Sequence, residues 1–218
     1  MKLWQKPLIL ASIALILAPQ IGSSQKMPKE HLLATHTMSL DKRYVDPFVN
    51  SVFSDNILLT LAYLGNQARQ NEPVNWQKTR QFSHFEFALS QGQTFAFHDT
   101  ELPLYQGKIA TTTHAHFNSQ EGFESDGYLV GDGVCHLASL LYWTAKDAGL
   151  ETSAPTNHDF ANIPEVPREY GVSIFARQGV PGAMQNLYIT NNQNKPIIFK
   201  FDFDGHNLKI TAEDELNK

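Results

Sequence analysis

Residues 131–150, Gly-Asp-Gly-Val-Cys-His-Leu-Ala-Ser-Leu-Leu-Tyr-Trp-Thr-Ala-Lys-Asp-Ala-Gly-Leu, decide the predicted fold because they carry the signals for both ends of a helix. Asp132 or Gly133 is a natural cap before the first turn. Gly149 followed by Leu150 is typical of a helix that a left-handed glycine closes. Between these ends, apolar residues recur at the spacing of one helix face: Leu137, Leu141, Ala145 and Ala148.

The only cysteine of the chain, Cys135, falls in the first turn of this helix. Unpaired N–H groups and the positive end of the helix dipole stabilise a thiolate there, so the position favours a nucleophile. The same amides are suited to hold an oxyanion. Cysteine is also among the most frequently buried residue types, so a small core residue is the alternative interpretation of Cys135.

Residues 131–142 resemble the signature Gly-Gly-Gly-Val-Cys-Gln-x-Ser-[Ser/Thr]-x-[Leu/Phe]-Tyr of VanW domains. Upstream, residues 91–98 (QGQTFAFH) are similar to the family's Pro-Gly-Glu-x-Phe-Ser-Phe-Asn segment. Further similar segments follow in the family's order, namely Gly127-Tyr128, Asn157-His158 before Val166-Pro167, and residues 191–198 with an Asn-Asn-x-x-x-Pro-Ile pattern. The resemblance covers residues 84–212.

VanW domains were named from a glycopeptide-resistance gene cluster and are implicated in peptidoglycan cross-linking as cysteine-dependent L,D-transpeptidases. The resemblance therefore implies a cysteine acyltransferase of the cell wall, with peptidoglycan stem peptides as partners. The chain departs from the family pattern at three places. The glutamine after the cysteine is His136, the Ser/Thr pair is Ala138-Ser139, and an aspartate late in the histidine segment is Gly171.

A thiol nucleophile needs a base, and His158 is the predicted one because it follows the helix, precedes a predicted strand and matches the family's downstream histidine. Asp159 beside it is a candidate for orienting the imidazole. The alternative is a loop histidine that hydrogen-bonds to backbone. His136 does not face its neighbour on a helix, so it is predicted to form a pocket wall. The predicted substrate-binding or oxyanion residues are Gly133, Val134, His136 and Ser139.

No metal and no other cofactor is predicted, because thiolate chemistry with a histidine base requires none. His114 and His116 would share one face of a strand, as some zinc-binding pairs do, with His98 nearby. No third ligand is spaced to complete a motif, so a zinc-dependent hydrolase is a distant alternative.

The composition, 218 residues of which 42% are hydrophobic, allows one well-buried domain plus extra segments. The net charge is −5 and the basic residues are scattered, so nucleic acid is not an expected partner. One cysteine permits no intramolecular disulfide. Oligomeric state is left open by the sequence.

Residues 1–24 are predicted to be an export signal. Lys2 and Lys6 precede the apolar run Leu8–Ala18, which is shorter than the ~20 residues that a spanning helix needs. Cleavage near Ser24 is favoured, and a short uncleaved membrane anchor is the alternative. The protein is therefore expected outside the cytoplasm, in the cell envelope.

The rest of the chain predicts an α+β fold, with N-terminal helices followed by a mostly antiparallel sheet on which the Cys135 helix packs. Helix starts are predicted at Asp46-Pro47 and at Ser54-Asp55. Alternating apolar residues predict strands at 85–89, 95–97, 171–176, 187–190, 196–203 and 208–212. The predicted segments are a polar spacer (25–45), a helical segment (46–83), the VanW-like domain (84–212) and a polar tail (213–218).

Two classes of function follow from these patterns. The first is an extracytoplasmic cysteine acyltransferase that acts on stem peptides, and the second is a catalytically silent wall-binding or assembly module of the same fold. Two structural features separate them, namely the access of solvent to the Cys135 sulfur and the ability of His158 to reach it.

Overall fold

The structure, a computed structural model, describes residues 30–176 and 182–215. The predicted export signal lies outside the described residues. Three helices are described, α1 (Pro47–Leu64), α2 (Trp76–Arg80) and α3 (Val134–Asp147). The described strands are β1 (Glu30–Ser39), β2 (His84–Leu89), β3 (Thr94–Ala96), β4 (Ile109–Thr111), β5 (Glu151–Ser153), β6 (Tyr188–Thr190), β7 (Ile197–Phe203) and β8 (Asn207–Glu215).

The described strands form two four-stranded sheets. The first has the order β1-β8-β7-β2 and is antiparallel throughout. The second has the order β4-β3-β6-β5, in which only the β3–β4 pair is parallel. The predicted α+β class with mostly antiparallel pairing is therefore confirmed, but two sheets take the place of the single sheet.

Strand β1 shows that the predicted spacer is wrong for its described part. The strand pairs with β8 from Glu30 opposite Glu215 to Ser39 opposite Asn207, and it buries Ala34 and Met38 on one face. Its sequence lacks the continuous apolar alternation that predicts a strand, because an edge strand with one solvated face needs few apolar residues. The backbone hydrogen bonds with β8 therefore hold residues 30–39 in the sheet, although their side-chain pattern does not predict a strand.

Helix α1 begins where the sequence predicts. The Asp46 carboxylate accepts the N–H groups of Phe48 and Val49, and Pro47 takes the first position. The second predicted start is wrong, because Ser54 and Asp55 lie inside this helix. Their polar side chains are satisfied by tertiary partners instead. The Ser54 hydroxyl donates to the backbone oxygens of Leu40 and Asn50, and Asp55 pairs with Arg80.

Most of the predicted strands form, as β2, β3, β6, β7 and β8. The strand predicted at 171–176 does not, since Val172 makes only an isolated bridge with Asn157. Strand β8 continues to Glu215, so residues 213–215 are part of the sheet rather than of a polar tail. None of the helices in the described ranges is both long and apolar enough to cross a membrane.

Helix α3 has the two ends that the sequence predicts. Gly133, with φ +94°, is its N-terminal cap. Gly149 adopts φ +75° after its C-terminus, and the N–H of Leu150 donates back to the Ala145 oxygen. The apolar face of the helix is buried against β1 and β8, which confirms the predicted packing and places Cys135 in the first turn.

Candidate active site

The start of α3 is held against α1 at Gly133. A Cβ atom at this position would lie 2.4 Å from the backbone oxygen of Phe53, so only glycine allows this approach. The buried side chain of Asn56 donates to the oxygens of Asp132 and Glu124 and accepts the N–H of Glu124. Helix α1 therefore fixes the turn that carries the cysteine.

A cavity of ≈ 510 Å³ opens at this turn. Cys135, His136 and His158 all line it, so the structure brings the predicted nucleophile and the predicted base to one site. We call it the Cys135 cavity. Aromatic side chains form much of its remaining wall, namely Tyr44, Phe53, Phe117, Phe160 and Phe175.

The segment 171–174 holds the two sides of the Cys135 cavity together. The N–H of Ile174 donates to the Cys135 sulfur at 3.4 Å, and the sulfur lies 3.8 Å from the Ile174 oxygen. On the other side, the N–H of His158 donates to the oxygen of Gly171. A Cβ at Gly171 would lie 2.6 Å from the His158 oxygen, which explains why the aspartate of the family pattern has no room here.

The half-buried Cys135 thiol is neutral in this environment. The pKa of the thiol is raised to about 11, mainly by burial and also by the charge of Asp132, while the Ile174 N–H has the opposing effect. The position at the helix start therefore does not give the thiolate that the sequence pattern predicts, because desolvation outweighs the helix dipole. Any reaction at Cys135 has to remove the thiol proton.

His158 is buried, and its ring centroid lies 4.0 Å from that of Phe160. Burial lowers the pKa of His158, so the imidazole is neutral near pH 7 and able to accept a proton. Within the described residues the Cys135 sulfur hydrogen-bonds only to Ile174, and Asp159 makes no hydrogen bond to the imidazole. His158 thus shares the cavity with the thiol without a direct hydrogen bond to it.

His136 lies in the cavity wall, in the place that the sequence predicts for it. Its ring packs against Phe53 with a centroid distance of 5.0 Å and meets the edge of His158 at 6.4 Å. Burial, followed by the charge of Arg43, lowers the pKa of His136 to about 3. This imidazole is therefore neutral at any physiological pH.

Three of the four predicted substrate or oxyanion contacts need correction, namely the N–H groups of Val134 and His136 and the hydroxyl of Ser139. The N–H groups of Val134 and His136 donate to the oxygens of Gly131 and Gly133, so neither amide is free for an oxyanion. Within the described residues, the N–H of Cys135 has no such backbone acceptor. Ser139 is fully buried outside the cavity, where its hydroxyl donates to the Cys135 oxygen and accepts the N–H of Val172. It joins α3 to the segment 171–174 and does not meet a substrate.

The two histidines of the predicted zinc alternative serve a loop of the cavity wall. His116 hydrogen-bonds to Glu121 at 2.9 Å and to Asp99 at 3.0 Å. Although burial opposes it, these two carboxylates raise the pKa of His116. His114 sits at φ +59° and contacts Thr112. Across residues 30–176 and 182–215, no group of three or more His, Cys, Asp or Glu is placed to hold a metal ion.

Two charged residues of the cavity wall are not among the site residues that the sequence predicts. The sequence pattern predicts Asp132 only as a helix cap, yet it lines the Cys135 cavity. Desolvation, followed by the charge of Asp126, raises the pKa of Asp132 to about 6. Arg43 is fully buried and pairs with Glu165. The signal for Asp132 was an acidic residue between two glycines directly before the cysteine turn, whereas no signal marked Arg43.

A family model described as VanW like protein matches residues 86–212 of the chain. The match covers more than half of the sequence and includes α3 and the loop of His158, but neither β1 nor α1. No curated protein and no solved structure matches the chain.

Proposed function

The chain belongs to the VanW family, and from this premise we propose that it is an extracytoplasmic cysteine-dependent acyltransferase that acts on peptidoglycan stem peptides. The observation that carries the proposal is the Cys135 cavity, in which a thiol and a neutral imidazole lie beside the start of a helix. The location outside the cytoplasm rests on the basic and apolar pattern of residues 1–24.

In the first half-reaction, the Cys135 sulfur attacks the carbonyl that precedes the terminal D-alanine of a stem tetrapeptide. His158 takes the thiol proton and delivers it to the leaving amine, so a C–S bond forms, the C–N bond breaks and D-alanine departs. The raised pKa of the thiol and the lowered pKa of His158 disfavour a thiolate–imidazolium pair before substrate binds. Proton transfer therefore accompanies the attack.

The tetrahedral intermediate places a negative charge on the carbonyl oxygen at the start of α3. The N–H of Cys135 is the donor best suited to hold it, because the neighbouring amides already have backbone acceptors. One such donor contributes roughly 3 kcal/mol in other acyl-transfer enzymes.

In the second half-reaction, an amine of another stem peptide attacks the thioester. A C–N bond forms, the C–S bond breaks and the sulfur regains its proton, which yields a cross-link of the L,D type. Water in place of the amine gives a carboxypeptidase, because it releases the shortened stem as a free acid.

A catalytically silent wall-binding or assembly module is the second candidate function. It is favoured by the neutral thiol, whose hydrogen bonds in the described chain go to Ile174 rather than to His158. In this alternative Cys135 stabilises the cavity wall and the aromatic side chains bind the ligand.

The test of the proposal is incubation of the full chain with a purified disaccharide tetrapeptide, followed by mass spectrometry of protein and products. We expect an acyl adduct on Cys135 and a dimeric cross-linked product. Cys135→Ser should lower the rate by orders of magnitude, and so should His158→Ala, because base and nucleophile act as a unit. His206→Ala, at an exposed histidine that does not line the cavity, is the matched control. A folded Cys135→Ser variant that cross-links as well as the wild type would refute Cys135 as the nucleophile, and a wild type that binds the tetrapeptide but forms neither adduct nor product would establish the silent module instead.

A further inference from the structure

Three buried polar atoms in the wall of the Cys135 cavity have no hydrogen-bond partner among the described residues. They are Oδ2 of Asp132, Nδ1 of His136 and Nδ1 of His158. In the described chain only two other side-chain atoms share this condition, on Thr152 and Asp214. Buried polar groups are nearly always paired, so a concentration of unpaired atoms in one cavity indicates a site that is completed by a ligand.

The charges of the cavity wall identify the group that the ligand has to bring. The positive side chains are already paired, since Arg43 donates to Glu165 and to backbone oxygens and His116 lies between Asp99 and Glu121. Asp132 forms no salt bridge with any described residue. The wall therefore holds one carboxylate that lacks a cationic partner, and a positively charged ligand group is what it fits.

A second carboxylate strengthens this preference. Asp126 is held in place because its Oδ1 accepts the N–H groups of Tyr128 and Leu129. Its negative charge acts on Asp132 in addition to the desolvation of that carboxyl group. A cation that binds beside Asp132 offsets the repulsion between the Asp126 and Asp132 carboxylates. It also compensates the Asp132 carboxylate for the hydration that burial removes.

The surrounding surface suits an ammonium at the end of an aliphatic chain. Leu129 and Val130 line the same cavity next to Asp132, and both are exposed to solvent. Apolar walls of this kind cover methylene groups while the charged end reaches a polar partner. The backbone oxygen of Asp132 is bound by Asn56, so the backbone that carries this carboxylate is fixed three residues ahead of the nucleophile.

We propose that Asp132 binds the side-chain ammonium group of the acceptor stem peptide and removes its proton before the amine attacks the thioester. The reaction in which this occurs rests on the proposed function. The ammonium gives one proton to the Asp132 carboxylate, and the free amine forms the C–N bond as the C–S bond breaks. The second amine proton passes to the departing sulfur through His158, and Asp132 returns its proton to solvent.

The first experiment measures recognition without chemistry. Full-length protein with Cys135→Ala is titrated with Nα-acetyl-lysine amide as the probe, and binding is followed by NMR. The variant Cys135→Ala/Asp132→Asn should bind the probe roughly tenfold or more weakly, as expected for the loss of a charged hydrogen bond. The same probe acetylated on its side-chain nitrogen has no charge and should not bind. Equal affinity of the two variants for the charged probe would overturn the proposal.

The second experiment measures the ratio of aminolysis to hydrolysis when the probe amine competes with water for the acyl-enzyme. Asp132→Asn should lower this ratio at least roughly tenfold, in line with the loss of a general base. The ratio of aminolysis to hydrolysis should rise with pH as Asp132 ionises. Asp126→Asn should move the midpoint of this rise to lower pH, because the like charge that opposes ionisation of Asp132 is gone. A purely structural role for Asp132 would leave this midpoint unchanged.

The outcomes separate the two levels of the proposal. If the wild type is not acylated by the tetrapeptide, the proposed function fails while the binding of the amine to Asp132 is still decided by the titration. If acylation occurs but Asp132→Asn changes neither affinity nor product ratio, the role of Asp132 fails and the proposed function stands. Should Asp132→Asn not fold, an unshifted pH midpoint in Asp126→Asn overturns the role of Asp132.

Discussion

At the scale of single residues, the environment of Cys135 gives a direct prediction. The thiol should react slowly with iodoacetamide near pH 7, and its rate should rise with pH toward a midpoint near 11, because burial opposes the thiolate. In urea the midpoint should fall to the ordinary value of about 8.5. The rates are measured by mass spectrometry of the alkylated protein.

Asp132→Asn is the internal check on this thiol prediction. It removes a negative charge that raises the pKa of the thiol, so the midpoint should move to lower pH. A folded wild type with a midpoint at or below that in urea would mean that the helix start stabilises the thiolate after all.

Gly133 gives the second prediction at this scale. Gly133→Ala combines a left-handed backbone with a methyl group 2.4 Å from the Phe53 oxygen, so it should lower the free energy of unfolding by several kcal/mol. Gly205→Ala is the matched control, because Gly205 has φ +99° but no neighbouring atom within 4 Å. It should cost only about 1–2 kcal/mol. Urea denaturation measures both, and equal losses would show that α1 and α3 do not meet at Gly133.

At the scale of elements, the structure explains which predictions succeeded. The bounds of α3 are encoded locally, in Gly133, Gly149 and the apolar periodicity between them, so the sequence predicted them. The strand β1 depends on backbone pairing with β8 about 180 residues away, and its own side chains carry little pattern. Such partners are not visible to a local analysis. The division into two sheets was missed for the same reason.

In the candidate site, too, features that the local sequence encodes are predicted and features that depend on distant partners are not. Cys135 and His158 are predicted as nucleophile and base because residue type and family resemblance both mark them, and both line one cavity. Ser139 was misassigned because its hydroxyl is consumed by two backbone groups, one of them 33 residues away. Asp132 is not predicted as a site residue because a carboxylate before a helix is usually a cap, and only the folded structure shows that Gly133 takes the cap position while Asp132 lines the cavity.

Strand β1 gives the prediction that belongs to elements. Met38→Asn places an amide in the core beside β8 and should lower the free energy of unfolding by about 2–4 kcal/mol. Thr37→Asn, at the exposed neighbouring position of the same strand, should change it by less than about 0.5 kcal/mol. Urea denaturation of the full chain measures both. If the two variants were equally stable, residues 30–39 would be a spacer rather than part of the sheet.

At the scale of the whole molecule, the fold joins segments that the family match separates. The match begins at residue 86, yet α1 fixes the cysteine turn and β1 completes the first sheet. Arg43, between these two elements, lies in the wall of the Cys135 cavity. The site is thus a property of the described chain as a whole, and residues 86–212 alone would lack one of its walls.

The whole molecule also has a predictable pH dependence of stability. Burial lowers the pKa of His136 to about 3 and lowers those of His98 and His158, so these three imidazoles bind more protons in the unfolded chain than in the folded chain below about pH 6.5. Their contribution to stability is complete above the unfolded pKa and is lost as the pH falls. Asp132 and His116 have raised pKa values and oppose this trend, because their contributions are lost as the pH rises.

The balance is tested by comparing the free energy of unfolding at pH 7 and pH 5 in the wild type and in His136→Phe. The unfolded His136 is protonated at pH 5 while the folded one is not, so this residue alone should cost the wild type about 2 kcal/mol on acidification. The variant, which keeps an aromatic ring against Phe53, should lose less by about that amount. Exposed His206→Phe should retain the wild-type difference. If His136→Phe showed the same loss as the wild type, the imidazole would be protonated in the folded cavity, and burial and the charge of Arg43 would not lower its pKa as the structure indicates.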